Sequence, residues 1–304
     1  MSGLLCPLRV LCLLLVALGL AGCYDRPTLN LTGSTMGTTW SLKGPRLTKQ
    51  THRLVQAHLD AREALLSHWR NDSVLSRFNQ NPSTDWQPVP LELVQVVQLA
   101  RRIALQTEGV LDITLAPVIE QFGFAPRLSD QPAVTGWPYL QDRLDPPALR
   151  KKVANLRLNV ACVTEGFVVD ELVALLKEQG YRDFLLEVGG EIAAIGHAPG
   201  GGPWQIGVQS PDATPGTALQ MLPLSDQCAA TSGSYRQRRA GRTHLIDPRT
   251  QQPIAHSLVS VTVLHDSCAV ADGFATALMI LGPQEGRRIA EKQGLRVIWI
   301  EETP

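Results

Sequence analysis

Residues 243–250 read Thr-His-Leu-Ile-Asp-Pro-Arg-Thr, which sets His244 beside an Asp247-Pro248 turn. A neutral imidazole near pH 7 can take a proton from a hydroxyl. About twenty residues on, Ala271-Asp272-Gly273-Phe274-Ala275-Thr276 puts Asp272 and Thr276 four positions apart. On a helix they share a face. A carboxylate, a hydroxyl and nearby backbone carbonyls are hard oxygen ligands for Mg²⁺, with phosphate and water completing the octahedron. A base near such a set is what metal-assisted phosphoryl chemistry needs. Singly, each feature also has a plainer reading, as a structural histidine or a solvated helix face.

Other positions point the same way only weakly. Ala230-Thr231-Ser232-Gly233-Ser234 is small and polar, suited to bringing backbone N–H groups to phosphate or to turning between strands. Gly189-Gly190 follows an apolar run and fits close ligand approach or a hairpin turn. Asp112 can bond a ligand or cap a helix starting at Ile113. Trp69 can stack on a flat heterocycle, although packing in the core is the default. There is no GxGxxG, so a Rossmann site is unsupported, and no P-loop, Gly-x-Ser-x-Gly or HExxH occurs.

The elements that must position these residues follow from periodicity. Helices are expected over 47–69, 91–107, 166–179 and 267–281, the last capped by Asp266 or Ser267. Strands are expected over 38–43, 156–160, 184–188, 204–209, 218–224, 258–264 and 296–300. Residues 124–150, rich in Pro and Asp, read as a long connection or a lobe insertion. Helices and strands mix without strict βαβ alternation, so the expected class is α+β.

With 304 residues, 44% of them hydrophobic, the chain can bury one large core or two lobes. Its 28 basic and 28 acidic residues cancel, so nothing suggests a nucleic-acid partner. Arg9 is the only charge before the apolar run 10–22, which is short for a membrane span and suits a signal h-region. It ends Leu20-Ala21-Gly22-Cys23, similar to the bacterial lipobox. Residues 1–22 then form a lipoprotein signal, 23–34 a tether lipidated at Cys23, and 35–304 the working body. An ordinary secretory signal with a chance cysteine is the plainer alternative. Cys162, Cys228 and Cys268 allow one bridge at most, and no cysteine spacing suggests zinc.

Taken in order along the chain, the motifs resemble the FAD:protein FMN transferase family, also known as ApbE. The resemblance is carried by Met36-Gly37-Thr38-Thr39-Trp40, residues 72–79, residues 109–114 with Pro117, and Glu165-Gly166-Phe167 with Asp170. It continues through residues 189–192, Thr231-Ser232-Gly233, residues 244–250 and Ala271-Asp272 with Thr276. It implies an α+β fold in two lobes with the flavin nucleotide between them. It also implies Mg²⁺-dependent transfer of FMN from FAD to an acceptor threonine, forming a phosphoester and releasing AMP. His244 would be the base. Asp272 and Thr276 would hold the metal, helped by backbone carbonyls at Thr164 and Ala275. Met36, Trp69, Val110, Leu111, Asp112, Ala161, Phe167 and Ile246 would contact FAD.

The implied partners are exported flavoprotein domains of membrane redox complexes. The implied location is a lipid anchor facing the periplasm, at the inner rather than the outer membrane. The chain departs from the common family pattern at Glu165, where many members have lysine, at Asn159 in place of aspartate, and at Gln251 in place of glycine. Two other functions stay open on these residues: an FAD pyrophosphatase, and a flavin-binding lipoprotein without catalysis.

Overall fold

A computed structural model describes residues 28–209, 218–235 and 238–302. The signal peptide and Cys23 lie outside these described residues. The described part is α+β. Its framework is a seven-stranded sheet in the order β1 (Thr28–Thr35), β2 (Thr38–Pro45), β6 (Phe184–Val188), β7 (Glu191–Ile195), β10 (Gln227–Gly233), β15 (Leu258–His265), β16 (Arg296–Glu301). Every neighbouring pair is antiparallel. Smaller ribbons complete the set. β3 (Trp86–Pro88), β4 (Leu140–Leu144) and β5 (Pro147–Lys151) form one sheet; β8 (Trp204–Gln209) and β9 (Ala218–Leu224) form a hairpin. β11 (Arg238–Arg239) pairs with β12 (Arg242–Thr243), and β13 (Ile246–Asp247) with β14 (Gln252–Pro253).

The helices are α1 (Lys49–Leu66), α2 (Val74–Gln80), α3 (Leu91–Gln106), α4 (Ala116–Gln121), α5 (Ala161–Glu178) and α6 (Cys268–Lys292). Their starts have chemical causes. Thr48 and Thr51 form a capping box at α1, and Ser73 and Ser267 accept backbone N–H groups at α2 and α6. α6 breaks at Gly282 (φ 79°), ahead of Pro283, which has no N–H to give, and then runs on to Lys292. That break is where the helical periodicity ends in the sequence.

One face of the sheet carries the helices. Trp40, Leu42, Phe184 and Leu186 pack against Val55 and Leu59 of α1 and Val169 and Leu172 of α5. Val261 and Val263 join the larger cluster with α3 and the apolar side of α6. On the other face, Ala194, Ala229 and Leu264 meet Trp204, Ile206 and Leu224 of the β8–β9 hairpin. Alternation along each strand thus feeds two cores at once.

Four expectations need correction. Residues 28–34 are not tether but most of edge strand β1; only one of its faces meets protein, through Leu31, so Thr, Asn and Ser hide the alternation. Residues 124–150 contain β4 and most of β5, and the paired strands bury only Leu140, Ala148 and Leu149 as apolar positions within that stretch. The run 156–160 forms no ladder. Its backbone at Leu158 is instead clasped by Asn79, whose amide donates to the Leu158 carbonyl and whose oxygen accepts the Leu158 N–H, each at 2.8 Å. Finally, residues 230–233 lie inside β10 rather than in a turn.

Candidate active site

The start of α5 and the first half of α6 cross at Gly166. A Cβ there would lie 2.7 Å from the Cys268 carbonyl carbon and 2.8 Å from Ala269 Cα, both backbone atoms. The closeness lets the Gly166 N–H donate to Asp272 Oδ2 at 3.1 Å. Asp170, one turn on, caps α6: its carboxylate accepts from Cys268 N–H at 2.7 Å, Ala269 N–H at 3.0 Å and the Ser267 hydroxyl at 2.6 Å. The Cys228–Cys268 disulfide ties the same helix end to β10. These contacts fix the axial position of Asp272 and Thr276.

Asp272 and Thr276 are both buried, and the Thr276 hydroxyl lies 3.1 Å from that of Ser232 on β10. Thr231 is paired in turn with Thr262 at 2.8 Å. Ala275 is fully buried on the same helix. Thr164 is buried on α5, its hydroxyl committed to the Val160 carbonyl at 2.8 Å. Ala161, one residue into α5, gives its N–H to the Asn159 side chain at 3.0 Å, and Asn159 N–H reaches the Ile113 carbonyl at 2.8 Å. Asn159 thus joins the start of α5 to the Ile113 backbone through its side chain and its own N–H.

Charge gathers around this crossing. Burial first, and then the Asp272, Glu165 and Asp112 carboxylates, push the Cys162 thiol far above its usual range. The thiol therefore stays protonated beside three carboxyl groups. Asp112 caps the short 3₁₀ turn Ile113–Leu115, accepting from the Thr114 N–H at 2.8 Å and hydroxyl at 2.6 Å. Burial pushes its carboxyl up, against the pull of those two bonds. The Gly189-Gly190 turn, between β6 and β7, has both residues at positive φ. A Cβ on Gly189 would stand 3.3 Å from Glu165 Cγ, from Glu191 Oε2 and from Thr38 Cγ2, so the glycine lets these side chains converge.

His244 lies between β12 and β13, half-buried, edge-on to Phe124 at 6.1 Å between ring centres. Asp247 does not stand free beside it: Arg249 holds both carboxylate oxygens at 2.8–3.1 Å. Burial opposes ionisation there, but Arg249 keeps the carboxyl below its usual range. Gln251 takes φ 55°, a left-handed conformation that glycine adopts without steric cost.

The remaining sequence candidates divide. Met36 sits at the β1–β2 turn with φ 45° and gives its N–H to Glu63 of α1 at 3.2 Å. Beside it the Thr35 hydroxyl is buried without a partner among the described residues. Trp69 is 52% exposed, against the core packing expected of it, and its ring neighbour is His68 at 5.5 Å. Phe167 is half-buried against the larger core. Val110, Leu111 and Ile246 are buried to within 3%, so their side chains serve the core and leave only backbone for a ligand. Gly166, Asp170 and Asn79 had no assigned role in the sequence. A glycine at the start of the apolar helical pattern of 166–179 was the available signal for the first.

A model of the ApbE family matches residues 36–299. An FAD:protein FMN transferase of Klebsiella pneumoniae is 35% identical over 89% of this chain and 83% of its own. One from Vibrio cholerae is 34% identical over 93% and 91%. Among solved structures, the flavin transferase ApbE of Vibrio cholerae superposes with a TM-score of 0.82 at 33% identity, covering 91% of this chain and 95% of that one. The apo flavinyl transferase ApbE of Pseudomonas stutzeri gives 0.81 at 32% identity, covering 91% and 92%. The chain belongs to the ApbE family.

Proposed function

We propose that this flavin transferase is an FAD:protein FMN transferase that moves FMN from FAD onto a threonine hydroxyl of an acceptor flavoprotein. The observation that carries the reading is the buried Asp272 carboxylate, fixed by Gly166 at the α5–α6 crossing with Thr276 one turn on. The donor set is hard oxygen in a buried, acidic setting, which fits Mg²⁺ and suits neither zinc nor copper. Asp272 and Thr276 would hold the ion, with carbonyls of Thr164 and Ala275. When bound, Mg²⁺ supplies positive charge against the diphosphate.

His244 takes the proton as the acceptor's threonine oxygen forms its bond to the FMN-side phosphorus. The bond from that phosphorus to the bridging oxygen breaks, and AMP leaves with the electron pair. Met36, the Asp112 turn, Ala161 and Phe167 border the flavin nucleotide, and the exposed Trp69 offers a ring face to it. Glu165 adds a negative charge where many relatives have a positive one, which raises the dependence of FAD binding on the cation. The chain would act outside the cytoplasm, anchored through Cys23 and facing the periplasm at the inner membrane. Its acceptors would be exported domains of redox complexes.

Mass spectrometry of an acceptor domain after incubation with the protein, FAD and Mg²⁺ tests this. The acceptor should gain one FMN phosphoester, and His244→Ala should abolish the gain. Equal labelling by that variant would remove His244 from the role of base. Free FMN and AMP with an unmodified acceptor would instead indicate the pyrophosphatase.

A further inference from the structure

Thr28, where β1 starts, lines a surface cavity of about 720 Å³ with Pro45, Arg46, Tyr181, Arg182 and His197. These residues mark one end of the sheet, where Thr28 pairs with Pro45 and Phe184 with Ile195. The candidate active site is at the other end. There Thr35 pairs with Thr38 and Val188 with Glu191, and the Gly189 turn meets Thr38 and Glu165. β1 has eight residues, which separates the two ends by roughly 25 Å. α5 runs the same way: its first turns bear Thr164 and Glu165, and its last bears Lys177.

The cavity end is basic. Arg46, Lys49, Lys177 and Arg182 are exposed there, and among the described residues none is ion-paired. Arg182 donates only to the Lys177 and Tyr181 carbonyls, at 2.6 and 3.0 Å. Three acids share this end: Asp183, which accepts the His197 N–H at 2.9 Å, Asp226, which accepts the Gly196 N–H at 3.1 Å, and the exposed Glu178. Four cations face three carboxylates, a small positive excess, and because none of the four is ion-paired each can meet an external anion.

The point of attachment lies beside it. Cys23 precedes Thr28 by five residues, a reach of no more than roughly 18 Å. We propose that this basic end of the sheet rests on an anionic membrane surface, so that the active site faces away from the bilayer. The proposal rests on the lipid-anchor reading of Cys23. No described helix is long and apolar enough to cross a membrane, so contact of this body with the bilayer would be peripheral. Phospholipid phosphates would meet Arg46 and Arg182, with Lys49 and Lys177 at the flanks. A lipid chain alone would leave the body free to tumble on its tether; the basic contacts give it an orientation. The site then opens toward domains that project from the membrane.

The test uses the full, processed chain on vesicles of phosphatidylglycerol mixed with phosphatidylcholine, and on phosphatidylcholine alone. Its intact mass is measured first, and then amide hydrogen exchange. On anionic vesicles the amides of 43–49, 180–183 and 196–202 should exchange at least roughly threefold slower than on neutral ones, with 36–39 and 189–191 unchanged. Arg46→Glu with Arg182→Glu should abolish the difference. A chain without acyl mass would overturn the anchor and the proposal together. An acylated chain with no local slowing, with slowing at both ends, or with slowing that survives charge reversal, would overturn the proposal and leave the anchor standing.

Discussion

Asp272 does two jobs that substitutions can separate. Its Oδ2 accepts the Gly166 N–H, and its charge is the metal ligand in the proposed reaction. Asp272→Asn keeps an acceptor oxygen and removes the charge, so stability should change by no more than about 0.5 kcal/mol. FMN transfer in Mg²⁺ should fall at least roughly 100-fold. Asp272→Ala should lose both, with a further 1–3 kcal/mol or so from the orphaned N–H. Urea melts beside acceptor labelling would expose a purely structural Asp272, since Asp272→Asn would then label normally. His68 offers a residue-scale test against pH. Burial lowers its pKa from 6.5 to about 4. The unfolded chain therefore binds the proton first. Stability from keeping His68 neutral is full above pH 6.5 and is lost as pH falls through 4, by on the order of 1–3 kcal/mol. His68→Gln should flatten that part of the profile, and denaturant midpoints at pH 7, 5.5 and 4 would reveal it.

At the scale of elements, the site exists because α5 and α6 approach closely enough for a side chain on one to bond the backbone of the other. Gly166→Ala meets backbone rather than a movable side chain, so the helices must separate. The expected loss is about 1–3 kcal/mol, with a drop in metal affinity because Asp272 moves with α6. A variant of unchanged stability and Mg²⁺ dependence would mean that the crossing has slack. Gly286→Ala is a useful comparison, since its Cβ meets the Trp299 ring as well as a backbone oxygen. The chain announced these elements unevenly. Helices α1 and α3 were legible because each shows a 3.6-residue apolar stripe; α6, buried all round over 271–280, was legible as far as Leu281 from its apolar run and its Ser267 cap, but its continuation past Pro283 to Lys292 was not. The first turn of α5 was not, since Ala161-Cys162-Val163-Thr164 reads equally as strand. β10 was hidden by its polar Thr231 and Ser232: Ser232 bonds Thr276 in the site, and Thr231 bonds Thr262 on the opposite face of the sheet. Asp272, Thr276 and His244 were readable as types at a spacing. Asp170 and Asn79 were not, because their partners lie 97–99 and 79 residues away along the chain.

The whole molecule depends on joining the β10 side of the sheet to the helical layer, and the Cys228–Cys268 bridge is the covalent form of that joint. Sequence arithmetic allowed one bridge among three cysteines; the fold selects the pair by bringing the start of β10 to the start of α6 and leaving Cys162, in the first turn of α5, as a free thiol. The bridge closes a 40-residue separation, and a loop of that length restricts the unfolded chain by about 4 kcal/mol. In the folded state the same helix end is held independently by Asp170, the Ser267 cap and the packing of α6 on β10 and β15. Loss of the bridge should therefore lower global stability without dismantling the site. Cys228→Ala with Cys268→Ala should shift the urea midpoint downward by an amount worth roughly 2–4 kcal/mol, while Mg²⁺ affinity in the folded range stays within about threefold of the parent. The parent in reductant should match the double variant. If Mg²⁺ affinity collapsed while the far-UV circular dichroism stayed native, the bridge itself would be setting the position of Asp272. The noncovalent cap made by Asp170 would then be insufficient, and the site could form only in an oxidising compartment.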